Sequence, residues 1–446
     1  MGFLWAARAI TSVAGVDERW MRAPSLVAGI ALLPLVWLLV RRLATDRVAA
    51  AAVVLVAVAP GLVRYSTEFK QYSLDAMIAV GLVVLAERVE RTRRPVDLAV
   101  LAGVGAAAAW CSHPAVLVLA GIGLALLVRP ARERSIAGVA RLAPVGAAWA
   151  VSLGLLWWVS LRDLTSNEFL TGYWRSGFPD SLAPHRFVGW LWASTVALLG
   201  EHGGQPVPGL AAVAVLVGFG VALARDGARA ALLLAPVPAL VLAASLEQYP
   251  FRGRLALFAL PLLLAGAASL ADPGRRRPVG ALGLVAVVLL AAGPAWRSAR
   301  EAVDPTPFPA SRPVLEAVAE RIRPGDAVYV HGLADAPFAV YGEALGLEAA
   351  GRTGWLPLDR CAEAASPFDG VSGAVWVVFA YTHSSAPPNE GAILRSHLEV
   401  MGLQTDLVQA HDAFAARYDL RVPSPGPPAV LDSPTTGCLQ VSPAAR

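Results

Sequence analysis

Up to Ala295 the chain consists of apolar stretches separated by short polar links. Most of these stretches approach the roughly 17–25 residues that a helix needs to cross a bilayer, and repeated runs of this kind indicate membrane-spanning helices. The stretches are Pro24–Val40, Val48–Val63, Leu74–Ala86, Leu98–Cys111, Ala115–Val128, Leu142–Ser160, Val207–Ala224, Ala230–Leu246, Leu255–Leu270 and Val279–Ala295. The pattern predicts a polytopic α-helical membrane protein with about ten transmembrane helices.

Arginine residues cluster in every second link between these stretches. The clusters are Arg41, Arg42 and Arg47; Arg88, Arg91, Arg93 and Arg94; Arg129, Arg132 and Arg134; Arg225 and Arg229; and Arg275, Arg276 and Arg277. Because basic loops are retained in the cytoplasm, this alternation places the other links and the C-terminal tail outside. The sequence therefore predicts a multi-pass protein of the cytoplasmic (inner) membrane with an extracytoplasmic C-terminal domain.

The pattern after the last apolar stretch is that of a small α/β domain. A predicted helix, Arg312–Arg323, precedes the short strand AVYVHG, and a further helix around 336–344 precedes the strand Ala374–Ala380. A helix around 390–401 follows, and Gln404–Gln409 and Ala413–Leu420 could supply further strands. Alternating strands and helices are typical of an α/β layer. We expect an outer-surface amphipathic segment at 1–22, a membrane domain at 23–296, a Pro-rich linker at 297–310, the α/β domain at 311–421 and a loose tail at 422–446.

Composition narrows the class of protein. Of the 446 residues, 56% are hydrophobic and only 16% are charged, whereas about a quarter of the residues in soluble proteins are charged. This excludes a disordered chain and argues against an ordinary soluble enzyme. The net charge of +4 is too small to indicate a nucleic-acid partner. Lys70 is the only lysine in a chain otherwise rich in arginine.

The most polar of the predicted outer links joins the second and third stretches. It holds Arg64, Tyr65, Glu68, Lys70, Tyr72 and Asp75. If the link continues as a helix, then Glu68, Tyr72 and Asp75 share one face. Lys70 and Arg64 could bind a phosphate through their side-chain cations. Anchoring of Tyr and Arg at the lipid headgroups explains the same residues, and both interpretations stay open.

Two further outer segments could carry chemistry. In the segment Tyr249–Arg254, Arg252 and Arg254 flank a glycine, which is consistent with either an arginine fork for phosphate or headgroup anchoring. The long link Leu161–Gln205 combines tryptophans with carboxylates and histidines. That mixture suits a sugar site and equally suits an interfacial helix at Phe187–Leu199.

Taken in order, these segments resemble a known group of membrane enzymes. The resemblance is to the polytopic glycosyltransferases of the GT-C class, specifically family-39-like enzymes related to protein O-mannosyltransferases and to the aminoarabinose transferase of lipid A. The segments that carry it are GVDERWMRAPSLVAG, RYSTEFKQYSLDA, CSHPAVLVLAG, YPFRGRLALFALP and PGDAVYVHGLADAPFAVY. Each motif is loose, and their order is specific.

The resemblance implies transfer of a sugar from a polyprenyl-phosphate carrier to a lipid, glycan or protein acceptor at the outer membrane face, without a metal or other cofactor. It implies that cations hold the departing phosphate and that neighbouring side chains shape the site. The matching cations are Arg64, Lys70, Arg252 and Arg254, and the matching site-shaping residues are Tyr65, Glu68, Tyr72 and Asp75. Fixed cations stabilise the charge that develops on a leaving phosphate.

The resemblance also implies an acidic residue in the first outer loop that removes the acceptor proton, a role that suits a carboxylate. Asp17 and Glu18 lie in the matching loop. In the resembling enzymes a first helix and the leading half of this loop, with its main carboxylate, precede the part that matches here. We therefore expect either a start codon assigned too far downstream or a truncated, catalytically idle protein.

Two other functions compete with glycosyl transfer. A transporter or flippase for a lipid-linked sugar would share the phosphate site, but it should show paired repeats and interrupted helices with charges at mid-membrane. A catalytically idle cell-envelope assembly protein is the third possibility.

Overall fold

The computed structural model describes residues 2–15, 17–162, 174–272, 277–305, 309–353, 371, 373–381, 398–399 and 401–422. The chain divides into two compact units, Met1–Asp304 and Pro305–Arg446. The predicted tail at 422–446, apart from Val422, and most of the helix expected near 390–401 lie outside the described residues.

In its described residues, unit 1 consists of helices joined by irregular links. Its helices are α1 (Gly2–Ala14), α2 (Glu18–Leu43), α3 (Asp46–Ala57), α4 (Pro60–Thr67), α5 (Tyr72–Thr92), α6 (Pro95–Cys111), α7 (Ala115–Arg132), α8 (Ile136–Leu156), α9 (Pro184–Glu201), α10 (Pro208–Arg225), α11 (Gly227–Leu234), α12 (Pro236–Ser245), α13 (Leu260–Ala268) and α14 (Arg277–Val303). A π-helical turn, Trp157–Leu161, extends α8, and a 3-10 helix, Gly253–Ala259, leads into α13.

Local sequence explains several of the helix ends. Asp17 caps α2 by accepting hydrogen bonds from the backbone N–H groups of Arg19 and Trp20, which have no partner within the helix. Thr45 caps α3 in the same way. Pro60 separates α3 from α4, because proline disfavours the helical conformation in the residue before it, and the two helices meet at a bend of 59°.

The structure supports the membrane prediction at a coarser level. In the described parts of the chain, six helices are long and apolar enough to cross a membrane, or seven if the bent pair α3–α4 forms one span. The six are Glu18–Leu43, Ala115–Arg132, Ile136–Ser160, Pro208–Arg225, Gly253–Ala271 and Gly280–Val303. Large apolar side chains such as Leu216 and Leu289 remain 65% and 67% exposed, which is typical of a lipid-facing surface.

Helix α14 continues through Val303 and so enters the segment that the sequence predicts to be a linker. The apolar run and the following residues Trp296–Val303 form one helix, because Pro294 lies inside it without ending it.

Unit 2 is a small α/β layer, as the sequence predicts. Helix α15 (Ser311–Arg321) precedes five strands: β1 (Ala327–His331), β2 (Ala349–Thr353), β3 (Ala374–Ala380), β4 (Leu403–Ala410) and β5 (Ala413–Asp419). The strand order is β2-β1-β3-β5-β4. Strand β1 is parallel to both of its neighbours, whereas β5 is antiparallel to β3 and β4. Strand β2, which contains a glycine and an arginine, is the one that the hydrophobic pattern missed.

Apolar side chains cover both faces of this sheet. Val314, Leu315 and Val318 of α15 pack on one face with Trp376, while Tyr329, Phe379 and Tyr418 belong to the cluster on the other. Burial on both faces explains why β3 consists entirely of buried residues and reads as a continuous apolar run.

Candidate functional site

Two segments that are far apart in sequence meet at one end of the helices of unit 1. The first is the α4–α5 link, Glu68–Gln71, and the second is the segment Tyr249–Arg254 that leads from α12 into the 3-10 helix. The link is fixed to α2, because the buried hydroxyl of Ser25 donates a hydrogen bond of 2.7 Å to the carbonyl oxygen of Lys70.

Arg254 lies between aromatic rings. Its guanidinium carbon is 5.9 Å from the centroid of the Tyr72 ring and 5.5 Å from that of Trp174. The Nε atom is buried and has no hydrogen-bond partner among the residues that the structure describes. Within the same residues Arg254 forms no ion pair. Ring faces attract the cation without occupying its N–H donors. The guanidinium also interacts with the Tyr65 hydroxyl, so it is the Nε donor of Arg254 that remains available to an anion.

Tyr65 and His202 complete this cluster. The rings of Tyr65 and Tyr72 meet edge to face at 4.9 Å, and the Tyr65 ring lies 5.9 Å from that of His202. We call the group of Arg254, Tyr65, Tyr72, Trp174 and His202 the Arg254 site. Aromatic faces and a cation with an unbonded Nε donor in the described residues are suited to a ligand that combines a sugar ring with an anionic group.

His202 approaches the backbone of α4 very closely. The N–H of Gly61 donates a hydrogen bond of 2.8 Å to the carbonyl oxygen of His202. A Cβ atom at Gly61 would lie only 2.6 Å from the Cβ of His202, which is closer than carbon atoms can pack. The absence of a side chain at Gly61 therefore allows His202 to reach the Arg254 site.

The imidazole of His202 is electrically neutral near neutral pH. Burial lowers the pKa of His202, and the positive charges of Arg64 and Arg254 lower it further, although Glu201 opposes the shift. Its Nε2 atom is buried without a hydrogen-bond partner in the described part of the chain. A buried polar atom of this kind carries a desolvation cost, which a bound ligand with a matching group would offset.

Arg64 and Glu68 form an ion pair at the edge of the site. The Arg64 Nε lies 2.8 Å from Glu68 Oε1, and the Glu68 side chain is only 11% exposed. The expectation that Glu68, Tyr72 and Asp75 share one helical face is wrong, because α4 ends at Thr67 and α5 begins only at Tyr72. Glu68 instead belongs with Arg64.

Tyr249 and Asp75 lie behind the aromatic cluster. Asp75 is buried in the first turn of α5, and its Oδ1 has no hydrogen-bond partner in the described residues. The Tyr249 hydroxyl donates to the carbonyl oxygen of Leu255 at 3.0 Å. Burial, together with the nearby charge of Asp75, raises the pKa of Tyr249 far above its ordinary value, so the hydroxyl keeps its proton.

Four of the predicted site residues have other surroundings. Lys70 and Arg252 are exposed, and in the described residues Lys70 forms no ion pair. Asp17 accepts the capping hydrogen bonds of α2, and Glu18 pairs with Arg22 at 2.9 Å. The structure thus brings Arg64, Tyr65, Glu68, Tyr72 and Arg254 together, and the roles of all these residues stay predictions.

Trp174 and His202 also belong to the site, and the sequence pattern offers both only as members of a link that suits either a sugar site or an interfacial helix. Both lie in the aromatic link Leu161–Gln205, which also suits an interfacial helix. The structure has a helix in this link, α9, and it places Trp174 before α9 and His202 after it. The N–H of Phe251 donates to the carbonyl oxygen of Gly177 at 2.9 Å. This hydrogen bond fixes the link against the segment Tyr249–Arg254.

A family model covers the N-terminal part of this arrangement. Residues 1–158 match the model described as dolichyl-phosphate-mannose-protein mannosyltransferase. The matched region includes Tyr65 and Tyr72 but not Arg254. No curated protein matches the chain.

Solved structures resemble the chain over most of its length. It is similar to the oligosaccharyltransferase of Archaeoglobus fulgidus in complex with Zn and sulfate, with a TM-score of 0.50 and 13% identity, covering 93% of this chain and 64% of that one. The chain is also similar to AglB of Archaeoglobus fulgidus in complex with an inhibitory peptide and a dolichol-phosphate, with a TM-score of 0.48 and 12% identity, covering 93% of this chain and 65% of that one. For ArnT of Cupriavidus metallidurans bound to undecaprenyl phosphate, the TM-score is 0.43 and the identity 13%, and the match covers 93% of this chain and 87% of that one.

The family-model match and the oligosaccharyltransferase fold confirm the resemblance to GT-C membrane glycosyltransferases. At 13% identity the structural likeness concerns the fold alone, and the chain spans less than two thirds of the length of that oligosaccharyltransferase.

Proposed function

We propose that this protein transfers a sugar from a polyprenyl-phosphate carrier to an acceptor at the outer face of the cytoplasmic membrane. The match of residues 1–158 to a dolichyl-phosphate-mannose-protein mannosyltransferase model supports a lipid-phosphate sugar as donor. The apolar helices and the arginine-rich links support a multi-pass membrane location.

The position of Arg254 is the main support for this function. Its guanidinium lies close to the rings of Tyr72 and Trp174, and its Nε is buried and unbonded in the described residues. When the glycosidic bond breaks, negative charge develops on the departing phosphate. A cation already fixed in a partly dehydrated position stabilises that charge strongly, because little reorganisation is needed. Arg254 is therefore the principal phosphate ligand of the proposed site.

Lys70, Arg64 and Arg252 add positive charge around Arg254. Lys70 is the compact, mobile cation of the link, and its exposure lets it reach a lipid phosphate as the carrier enters. Arg64 is partly neutralised by Glu68, so its contribution is smaller. Arg252 is exposed and adds to the attraction of the anionic carrier.

The rest of the Arg254 site suits the sugar. The rings of Trp174, Tyr65 and Tyr72 offer apolar faces for the C–H surface of a sugar, and the neutral His202 offers one acceptor or donor to a hydroxyl group. Asp75, with the hydroxyl of Tyr249 behind the cluster, completes the polar lining.

The carboxylate that removes the acceptor proton is assigned to the loop that holds Asp17 and Glu18. Both carboxylates have partners at the start of α2, so either would have to exchange these for the acceptor. This assignment rests on the family resemblance.

Reconstitution into liposomes with a radiolabelled polyprenyl-phosphate sugar tests the proposed function. Transfer of label to an added acceptor lipid or peptide, with release of polyprenyl phosphate, is the expected result. Movement of label across the bilayer without cleavage would indicate a transporter instead. Retention of intact donor without either process would indicate a non-catalytic binding protein.

A further inference from the structure

Helices α6 and α8 enclose a groove at the ends where both helices begin. Its volume is about 520 Å³, and it is lined by Arg93, Pro95, Leu98, Ala99, Ala102, Arg141, Pro144 and Val145. None of these residues belongs to the Arg254 site. The lining combines two arginines with apolar side chains.

The groove lies before the point where hydrogen bonds join the two helices, since these bonds lie farther toward the C-terminal ends of α6 and α8. The indole Nε1 of Trp149 donates to the carbonyl oxygen of Leu101 at 3.3 Å, and that of Trp110 donates to the hydroxyl of Ser152 at 3.0 Å. A Cβ atom at Gly105 would lie 2.4 Å from the Trp149 Nε1, so the helices touch closely there. Toward their first turns, the small side chains of the groove leave the space between the helices unfilled.

The position of the two arginines gives the groove polarity. Arg93 immediately precedes α6, and Arg141 lies near the start of α8, so both stand at the arginine-rich ends of the helices. Leu98, Ala102 and Val145 lie progressively deeper along the same helices. A groove with two arginines at its opening and apolar side chains farther in is complementary to an amphiphile with an anionic headgroup.

The carboxylates near Arg93, at the opening of the groove, already pair with other arginines. Asp97 is 3% exposed and pairs with Arg88 at 2.7 Å. Glu133 pairs with Arg129 at 2.8 Å, whereas its distance to Arg93 is 3.9 Å and both of those side chains are about half exposed. An exposed pair at this distance contributes little, so the charge of Arg93 remains available.

We propose that this groove binds one anionic phospholipid, whose phosphate contacts Arg93 and Arg141 and whose acyl chain lies along Leu98, Ala102 and Val145. Basic pockets between transmembrane helices on the cytoplasmic side suit anionic headgroups, and the arginine-rich links are predicted to face that side. The site depends on the membrane location and not on glycosyl transfer, so either proposal can fail while the other holds.

Native mass spectrometry of the full-length protein in detergent, titrated with phosphatidylglycerol or phosphatidylcholine, tests the site. The wild type should retain phosphatidylglycerol preferentially. Arg93→Gln and Arg141→Gln should each weaken that binding about fivefold, as expected for the loss of one arginine near a lipid surface. Arg132→Gln removes an exposed arginine that does not line the groove and should bind as the wild type does.

Ala99→Phe provides a second test that keeps both charges. Its ring should fill the groove and abolish the preference for phosphatidylglycerol, while gel filtration confirms a folded protein. Equal weakening by Arg132→Gln, unchanged binding by Ala99→Phe, or equal retention of the two phospholipids would overturn the proposal. Much tighter retention of an added polyprenyl phosphate, lost in Ala99→Phe, would overturn the choice of phospholipid as the occupant.

Discussion

The guanidinium carbon of Arg254 lies 5.9 Å from the centroid of the Tyr72 ring. Tyr72 is the first residue of α5, and Arg254 lies in the 3-10 helix before α13, so this contact joins two links between apolar helices. The arginine is held by a ring face instead of a carboxylate. Its Nε donor, which has no hydrogen-bond partner in the described residues, is therefore left for a phosphate, and the proposed function depends on this relationship.

Lys70 should be required for transfer although it is exposed. Lys70→Ala removes the only lysine of the chain and should abolish measurable sugar transfer from a polyprenyl-phosphate donor, because one of the cations around the leaving phosphate is lost. Lys70→Arg keeps the charge and should retain part of the activity. Full activity of the alanine variant, at equal amounts in the membrane, would remove Lys70 from the mechanism.

Gly61 should be needed for the position of His202. In Gly61→Ala the new methyl group would lie 2.6 Å from the His202 Cβ and 2.9 Å from its carbonyl oxygen, so the backbone must move. We expect at least a tenfold loss of transfer, since small displacements of positioning groups are costly. Gly103→Ala is the matched control, because a Cβ atom there meets no atom within 4 Å. Equal losses in both variants would contradict this explanation.

His202 should make thermal stability depend on pH. Burial lowers its pKa from the ordinary value of 6.5, so below that pH the unfolded chain binds a proton that the folded protein does not. Stability should therefore fall as the pH drops through about 6.5 toward the lower folded value. In melting curves of the detergent-solubilised protein, His202→Gln should flatten this decrease, and His185→Gln, which alters an exposed histidine, should not. Identical curves for all three proteins would contradict the prediction.

In unit 2, Asp326 and Arg417 form a buried ion pair, with Oδ1 of the carboxylate 2.7 Å from the guanidinium and side chains only 4% and 8% exposed. Asp326→Asn leaves the buried arginine without its counter-charge and should destabilise this unit by about 3–5 kcal/mol. The double variant Asp326→Asn with Arg417→Met should recover much of that loss. Hydrogen exchange of the backbone amides of β3 and β5 measures both, and no rescue by the double variant would argue against charge burial as the cause.

The same pair has a defined pH dependence. Burial acts to raise the pKa of Asp326, but hydrogen bonds from Arg417 and from the backbone N–H of Arg323 outweigh it, and the pKa is lowered from 3.8. The pair therefore contributes its full stability above about pH 4 and loses it as the pH falls through the lower folded value. The double variant should lack this acid-dependent loss.

The sequence predicted the helices of unit 1 and most of the sheet of unit 2, because both depend on local hydrophobic periodicity. The pattern missed strand β2, since Gly351 and Arg352 interrupt its apolar run. Tyr65, Tyr72 and Arg254 could be proposed as site residues because each lies in a polar link between apolar helices. Their contact with Trp174 and His202 could not be predicted, because it depends on how four separate segments pack at the helix ends.

Binding of a polyprenyl phosphate to the purified protein shows whether Arg254 is the ligand of the donor phosphate. Arg254→Gln should weaken binding and reduce the transfer rate about 100-fold or more, as for removal of one preorganised donor from a charged transition state, and Arg254→Lys should restore only part of it. Arg186→Gln, which removes an exposed arginine of α9, should bind and transfer as the wild type does. If Arg254→Gln binds the polyprenyl phosphate as tightly as the wild type does, Arg254 is not its ligand and the Arg254 site does not bind the donor phosphate.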